Sequence, residues 1–127
     1  MKTSPAAVIL FAHGSRDPLW RAPIDAVAAQ MQRQSPHTVV RCAFLELTAP
    51  DLPSTVAALV AEGHHRLRIV PMFLGIGRHA REDLPLLVAQ LRQDHPEITV
   101  ELLPAVGEMP ELTQCLADLA LRPEHAT

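Results

Sequence analysis

Four times along this chain a short apolar run gives way to a segment whose apolar residues recur at helical spacing. Runs of that length read as buried strands, and a stripe at i, i+3, i+4 reads as a helix with one covered face. The first strand reads Ala7–Ala12, and the stripe after it carries Trp20, Ile24, Val27, Ala28 and Met31, with Pro23 suited to a first turn. The second strand reads 38–45. Its helix places Leu52, Val56, Leu59 and Val60 on one face, starts near Asp51 with Pro53 in the first turn, and stops at Gly63. The third strand reads 66–74, with Pro71 marking a bulge or a frayed edge. Leu84, Leu87, Val88 and Leu91 form the next stripe, with Pro85 near its start. The fourth strand reads 99–103, and Leu112, Cys115, Leu116 and Leu119 follow Pro110.

This β-α repetition predicts an α/β fold: a four-stranded parallel sheet with helices on both faces. Right-handed crossovers in a doubly wound sheet predict the strand order 2-1-3-4. No Pro/Gly/Ser linker divides the 127 residues, so they read as one domain, 1–127, with a core from about 7 to 121 and a loose tail beyond Arg122.

Composition excludes several classes of function. The net charge is −3 without a dense basic stretch, and aromatic residues make up only 3% of the chain, which argues against nucleic-acid binding. The apolar runs are too short to span a bilayer, and Met1-Lys2-Thr3-Ser4 leads into the first strand without a secretory layout. The expectation is a cytoplasmic protein. Cys42 and Cys115 stand alone in apolar patterns, which predicts buried packing and no thiolate metal site.

Two of the predicted strands end alike. The first runs into His13-Gly14-Ser15-Arg16 and the third into Gly75-Ile76-Gly77-Arg78-His79. In the order 2-1-3-4 these strands are neighbours at the point where the winding reverses, so both histidines face the crevice in which open α/β sheets bind ligands. Glu46, after the second strand, is one strand further along. Two imidazoles and a carboxylate suit a divalent transition metal, and histidine also serves as a base near neutral pH. Gly14, Gly75 and Gly77 would admit close backbone approach or unusual turn angles. Arg16, Arg78 and Arg81 would pair with anionic groups on a ligand. A solvated loop charge is the plainer reading of each arginine. His64 and His65 read as partners of a helix end, and His37, His95 and His125 as solvated. Trp20 reads as packing on Ile24 at the helix start.

The segments AHGSRDP at 12–18, FLEL-x-x-P at 44–50 and P-x-F-L-x-x-G-x-H-x-x-x-D-L-P at 71–85 together resemble the class II tetrapyrrole chelatases. The match is with the short CbiX-type sirohydrochlorin cobaltochelatases, over nearly the whole chain. The resemblance implies a flavodoxin-like chelatase half-domain that pairs as a homodimer. It implies insertion of a divalent metal into sirohydrochlorin or a related tetrapyrrole, in cobalamin or siroheme biosynthesis. No organic cofactor is implied. The metal is a substrate: Co²⁺ first, with Fe²⁺ and Ni²⁺ as alternatives. Nickel ranks lower because the chain lacks the long histidine-rich loop of some archaeal relatives. His13 and His79 take the metal-binding and proton-removing roles, with Glu46 contributing. Ser15, Arg16, Gly75, Gly77, Arg78 and Arg81 would contact the macrocycle.

Two other readings stay open on the residues. A zinc hydrolase uses a similar ligand set, although an H-E-x-x-H spacing is absent. A metal or tetrapyrrole carrier would bind without turnover. A serine hydrolase is excluded, because no G-x-S-x-G elbow occurs.

Overall fold

The computed structural model describes residues 6–124. Strands β1 (Ala7–Ala12), β2 (Val40–Phe44), β3 (Arg66–Pro71) and β4 (Thr99–Leu102) alternate with helices α1 (Ala22–Gln34), α2 (Leu52–Ala61), α3 (Arg78–Asp94) and α4 (Pro110–Leu121). A 3-10 turn, Val106–Glu108, precedes α4. All strand pairings are parallel and the order is β2-β1-β3-β4, as the repetition predicts.

β1 is buried at all six positions, the behaviour of an unbroken apolar run covered on both faces. Side chains alternate across the sheet, so odd and even positions of β1 meet different layers. Ile9 and Phe11 join Ala43, Leu67, Ile69 and Val100 against Leu52, Val56 and Leu59 of α2 and Leu84, Val88 and Leu91 of α3. Burying a side chain such as Ile9, Leu59 or Ile69 contributes about 1.5–3 kcal/mol, so this layer holds most of the stability. α1 covers β1 and β2 from the other face. There Cys42 Sγ lies 3.9 Å from Asp25 Oδ1.

α2 begins and ends as its sequence dictates. Asp51 accepts a hydrogen bond from the Ser54 amide at 2.8 Å, and Gly63 takes the left-handed conformation (φ 94°) just past the helix. The bonds from Ser54 hold the Asp51 carboxyl below the ordinary aspartate range. A depressed folded-state pKa stabilises above the unfolded value and loses that contribution as pH falls through the folded one. Asp51→Ala should therefore lower the melting temperature at pH 7. The gap between parent and variant should narrow on acidification below the ordinary aspartate value, as followed by thermal unfolding at several pH values.

Several boundaries differ from expectation. β2 is shorter than 38–45 at both ends, β3 stops at Pro71 rather than 74, and β4 at Leu102 rather than 103. Pro71 marks neither a bulge nor a frayed edge: β3 is an interior strand. The Met72 amide donates to Phe11 O on the β1 side, so the N–H that Pro71 lacks would point toward β4, which has already ended. α3 starts at Arg78, which puts Pro85 two turns inside rather than near the start. Its missing donor leaves the Arg81 carbonyl without a helical partner.

Trp20 precedes α1 and packs edge-on against Phe44, at 6.1 Å between centroids. Cys115 is exposed, against expectation, and Cys42 is only half-buried. The reason for Cys115 is that α4 packs chiefly against the 3-10 turn, which leaves Leu116 and Leu119 uncovered. His125 and the end of the tail lie outside the described residues.

Candidate metal and macrocycle site

β1 and β3 end side by side, and the chain leaving each carries one of the two singled-out histidines. His13 follows β1 directly and is exposed. Its ring lies on that of Phe73, at 4.2 Å between centroids and 34° between planes. Phe73 is buried and meets Phe11 edge-on at 5.9 Å. Phe11 in turn lines a cavity of about 150 Å³ shared with His79, Leu45, Ala80, Asp83, Leu84 and Leu87. A two-phenylalanine floor thus joins the surroundings of both imidazoles at one end of the sheet.

His79, Arg78 and Arg81 sit on the first turn of α3 rather than in a loop. The helix departs from Gly77, whose backbone is extended (φ −69°, ψ 162°). Such a helix start presents free amides and a positive dipole end to anionic groups. Arg78 Nε contacts Glu82 Oε1 at 3.0 Å, an exposed pair worth no more than about 1 kcal/mol, so it does not lock the guanidinium away from a ligand carboxylate. Arg16 and Arg81 are exposed, and among the described residues neither is held in an ion pair.

Glu46 is exposed in the loop after β2, and its amide donates to His13 O at 3.0 Å. The backbones of these two residues are therefore adjacent. Among the described residues, however, no three His, Cys, Asp or Glu side chains gather closely enough to hold a metal ion. The set His13, His79 and Glu46 is not assembled as a closed cage within one chain.

The glycines divide differently from expectation. Gly14 has φ 98°, and a Cβ there would overlap the Glu46 carbonyl oxygen. Gly75 and Gly77 have neither a positive φ nor a neighbour within 4 Å, so no close approach requires them. They leave open space beside the α3 start instead. The close approach on that side belongs to Gly107, where a Cβ would overlap the Leu74 carbonyl. Ser15 Oγ accepts from the Asp17 amide at 3.0 Å, which leaves its own proton free to donate. Burial, with Asp25 adding to it, pushes the Cys42 thiol up from its ordinary pKa, away from thiolate chemistry.

Sequence reasoning missed Phe73, Asp83 and Thr48. Asp83 stands four residues after His79, a spacing that shares a helix face, and although it falls in the 71–85 motif it was given no role because His79 was assigned to a loop. Phe73 also falls in that motif without an assigned role, and no local signal marks Thr48.

The CbiX family model matches residues 7–122. The chain belongs to the CbiX family. Relatives include a sirohydrochlorin cobaltochelatase of Methanococcus aeolicus, 32% identical over 82 residues, which are 65% of this chain and 57% of that protein. Another, from Methanococcoides burtonii, is 30% identical over 95 residues, 74% of this chain and 72% of that one. The matched stretch thus spans little more than half of the first relative. Among solved structures, a CbiX protein from Marinobacter aquaeolei VT8 superposes with TM-score 0.79 at 30% identity, covering 91% of this chain and 94% of that one. Bacillus subtilis SirB in complex with cobalt shares the fold, with TM-score 0.73 at 24% identity. The match covers 88% of this chain but 48% of SirB. No helix among the described residues is long and apolar enough to cross a membrane.

Proposed function

We propose that this CbiX protein inserts a divalent metal, Co²⁺ first, into sirohydrochlorin or a close relative. The observation that carries the reading is that Phe73, stacked on the His13 ring, meets Phe11, which lines the same cavity as His79, in a chain of this family. His13 and His79 hold the incoming metal, with positions left open for the nitrogens of the macrocycle. Two pyrrole N–H protons must leave as the dication enters. Glu46, or an imidazole not engaged by metal, accepts them. Metal and proton compete for the same imidazole lone pair, so a group cannot do both at once.

Arg16, Arg78 and Arg81 receive the peripheral carboxylates, Ser15 adds a donor, and the open backbone at Gly75 and Gly77 gives a flat ring room to approach. Among the described residues no three ligand side chains cluster, which suits an open transfer site better than the three-ligand zinc of a hydrolase. A second copy completes the cleft in this reading. SirB, matched over half its length, supports it, as do the uncovered leucines of α4.

Absorbance of sirohydrochlorin, in excess over protein, tests the proposal with Co²⁺, Fe²⁺ and Ni²⁺ in parallel. Many turnovers per site are expected, fastest with Co²⁺. A signal that stops at one equivalent per site would identify a carrier instead.

A further inference from the structure

His13 lies on a stretch without regular structure, since residues 13–15 belong to neither β1 nor a helix. Something must hold that stretch still if its imidazole is to meet a metal in a defined place. Two backbone bonds carry the β1–β2 ladder past the strands: Leu45 N to Ala12 O at 2.8 Å and Glu46 N to His13 O at 3.0 Å. There the backbone ladder ends. Beyond it one side chain takes over.

Thr48 Oγ1 accepts from the Ser15 amide at 3.0 Å and donates to the Ser15 carbonyl at 2.9 Å, a two-bond grip across 33 residues of sequence. Thr48 is itself set in place. Its amide donates to Glu46 O at 2.7 Å, and Leu47, at φ 65°, turns the chain so that the hydroxyl faces Ser15. Gly14 fills the space between, against the Glu46 carbonyl and within reach of the Thr48 hydroxyl. The result is one tied unit of two loops, carrying His13 on one side and Glu46 on the other.

We infer that Thr48 is a positioning residue, whose hydroxyl fixes the His13 segment against the Glu46 segment. Its consequence for chelation rests on the function proposed above. Threonine offers a single hydroxyl that both donates and accepts, so valine keeps the shape and removes both bonds. Groups that orient a metal ligand typically account for 10–100-fold in metal affinity or activity.

The test compares the parent with Thr48→Val and Thr48→Ser, reading the His13 imidazole resonances, thermal unfolding, Co²⁺ affinity and the separate kcat and KM of insertion. The expectation for Thr48→Val is averaged or broadened His13 signals with a nearly unchanged melting temperature. Co²⁺ binding should weaken roughly 10-fold and kcat fall by a similar factor. Thr48→Ser should restore all of these. If Thr48→Val does not fold, Thr48→Ala is read in the same way. His13 signals that stay as in the parent would overturn the inference, whatever the activity. Averaged His13 signals with parental insertion would uphold the grip and overturn the role proposed for His13 in chelation.

Discussion

His13→Ala and His79→Ala should each reduce cobalt insertion by about 100-fold or more, as measured by the absorbance change of sirohydrochlorin at saturating metal. A positioned base alone contributes about 10²–10⁴-fold, and in the proposed role the same groups also hold the metal. Both side chains are exposed, so the loss should come without unfolding. Substitutions at such positions shift stability by roughly 0.5 kcal/mol, and melting curves of both variants should overlay the parent within a few degrees. The double variant should be little worse than either single one, because residues acting on one metal are not additive. Insertion at the parental rate by either variant would remove that residue from the reaction.

Gly14→Ala should damage both stability and insertion through a single added methyl. The position needs φ 98°, a region that alanine rarely adopts, and the new Cβ would overlap the carbonyl of Glu46. Strained backbone of this kind costs on the order of 1–3 kcal/mol. The clash adds to that, because its partner is backbone rather than the end of a flexible side chain. Relief requires the His13 and Glu46 segments to separate, which breaks the Thr48 grip on Ser15. Insertion should therefore fall well below what the lost stability explains at a temperature where the variant is still folded. Gly75→Ala is the contrast: its Cβ would meet nothing within 4 Å, and thermal unfolding should change little. A Gly14→Ala protein with parental stability and activity would show that the two segments are not packed as described.

Most of the fold was legible because it rests on local rules. The β1 run is apolar at every position and is buried at every position. Asp51, Pro53 and Gly63 announce both ends of α2, and the structure puts each where its backbone chemistry requires. The strand order followed from right-handed crossovers in a doubly wound sheet. The boundaries that slipped did so where tertiary packing overrides local preference. Pro85 looks like a helix start, yet α3 runs through it from Gly77, because Leu84, Val88 and Leu91 still gain the core on either side of the lost bond. Trp20 matched the α1 stripe, but it lies before the helix, which begins at Ala22, and its ring meets Phe44. Cys115 and Leu119 read as core residues, since periodicity reports an apolar face and cannot report whether anything covers it.

The candidate site divides along the same line. His13 and His79 stood out through residue type, flanking glycine and arginine, and position at strand ends. Those are properties of the chain as written, and topology then brings such ends together without further information. The Phe73 ring beneath His13, the contact of Gly107 with Leu74 and the grip of Thr48 on Ser15 link positions roughly 33 to 60 residues apart. Such pairings follow from how loops stack once helices have docked. Periodicity and capping act over a few residues and carry no record of them. Identity and placement of the candidate site residues were thus written locally, whereas the contacts that hold their segments arise from packing between distant parts of the chain.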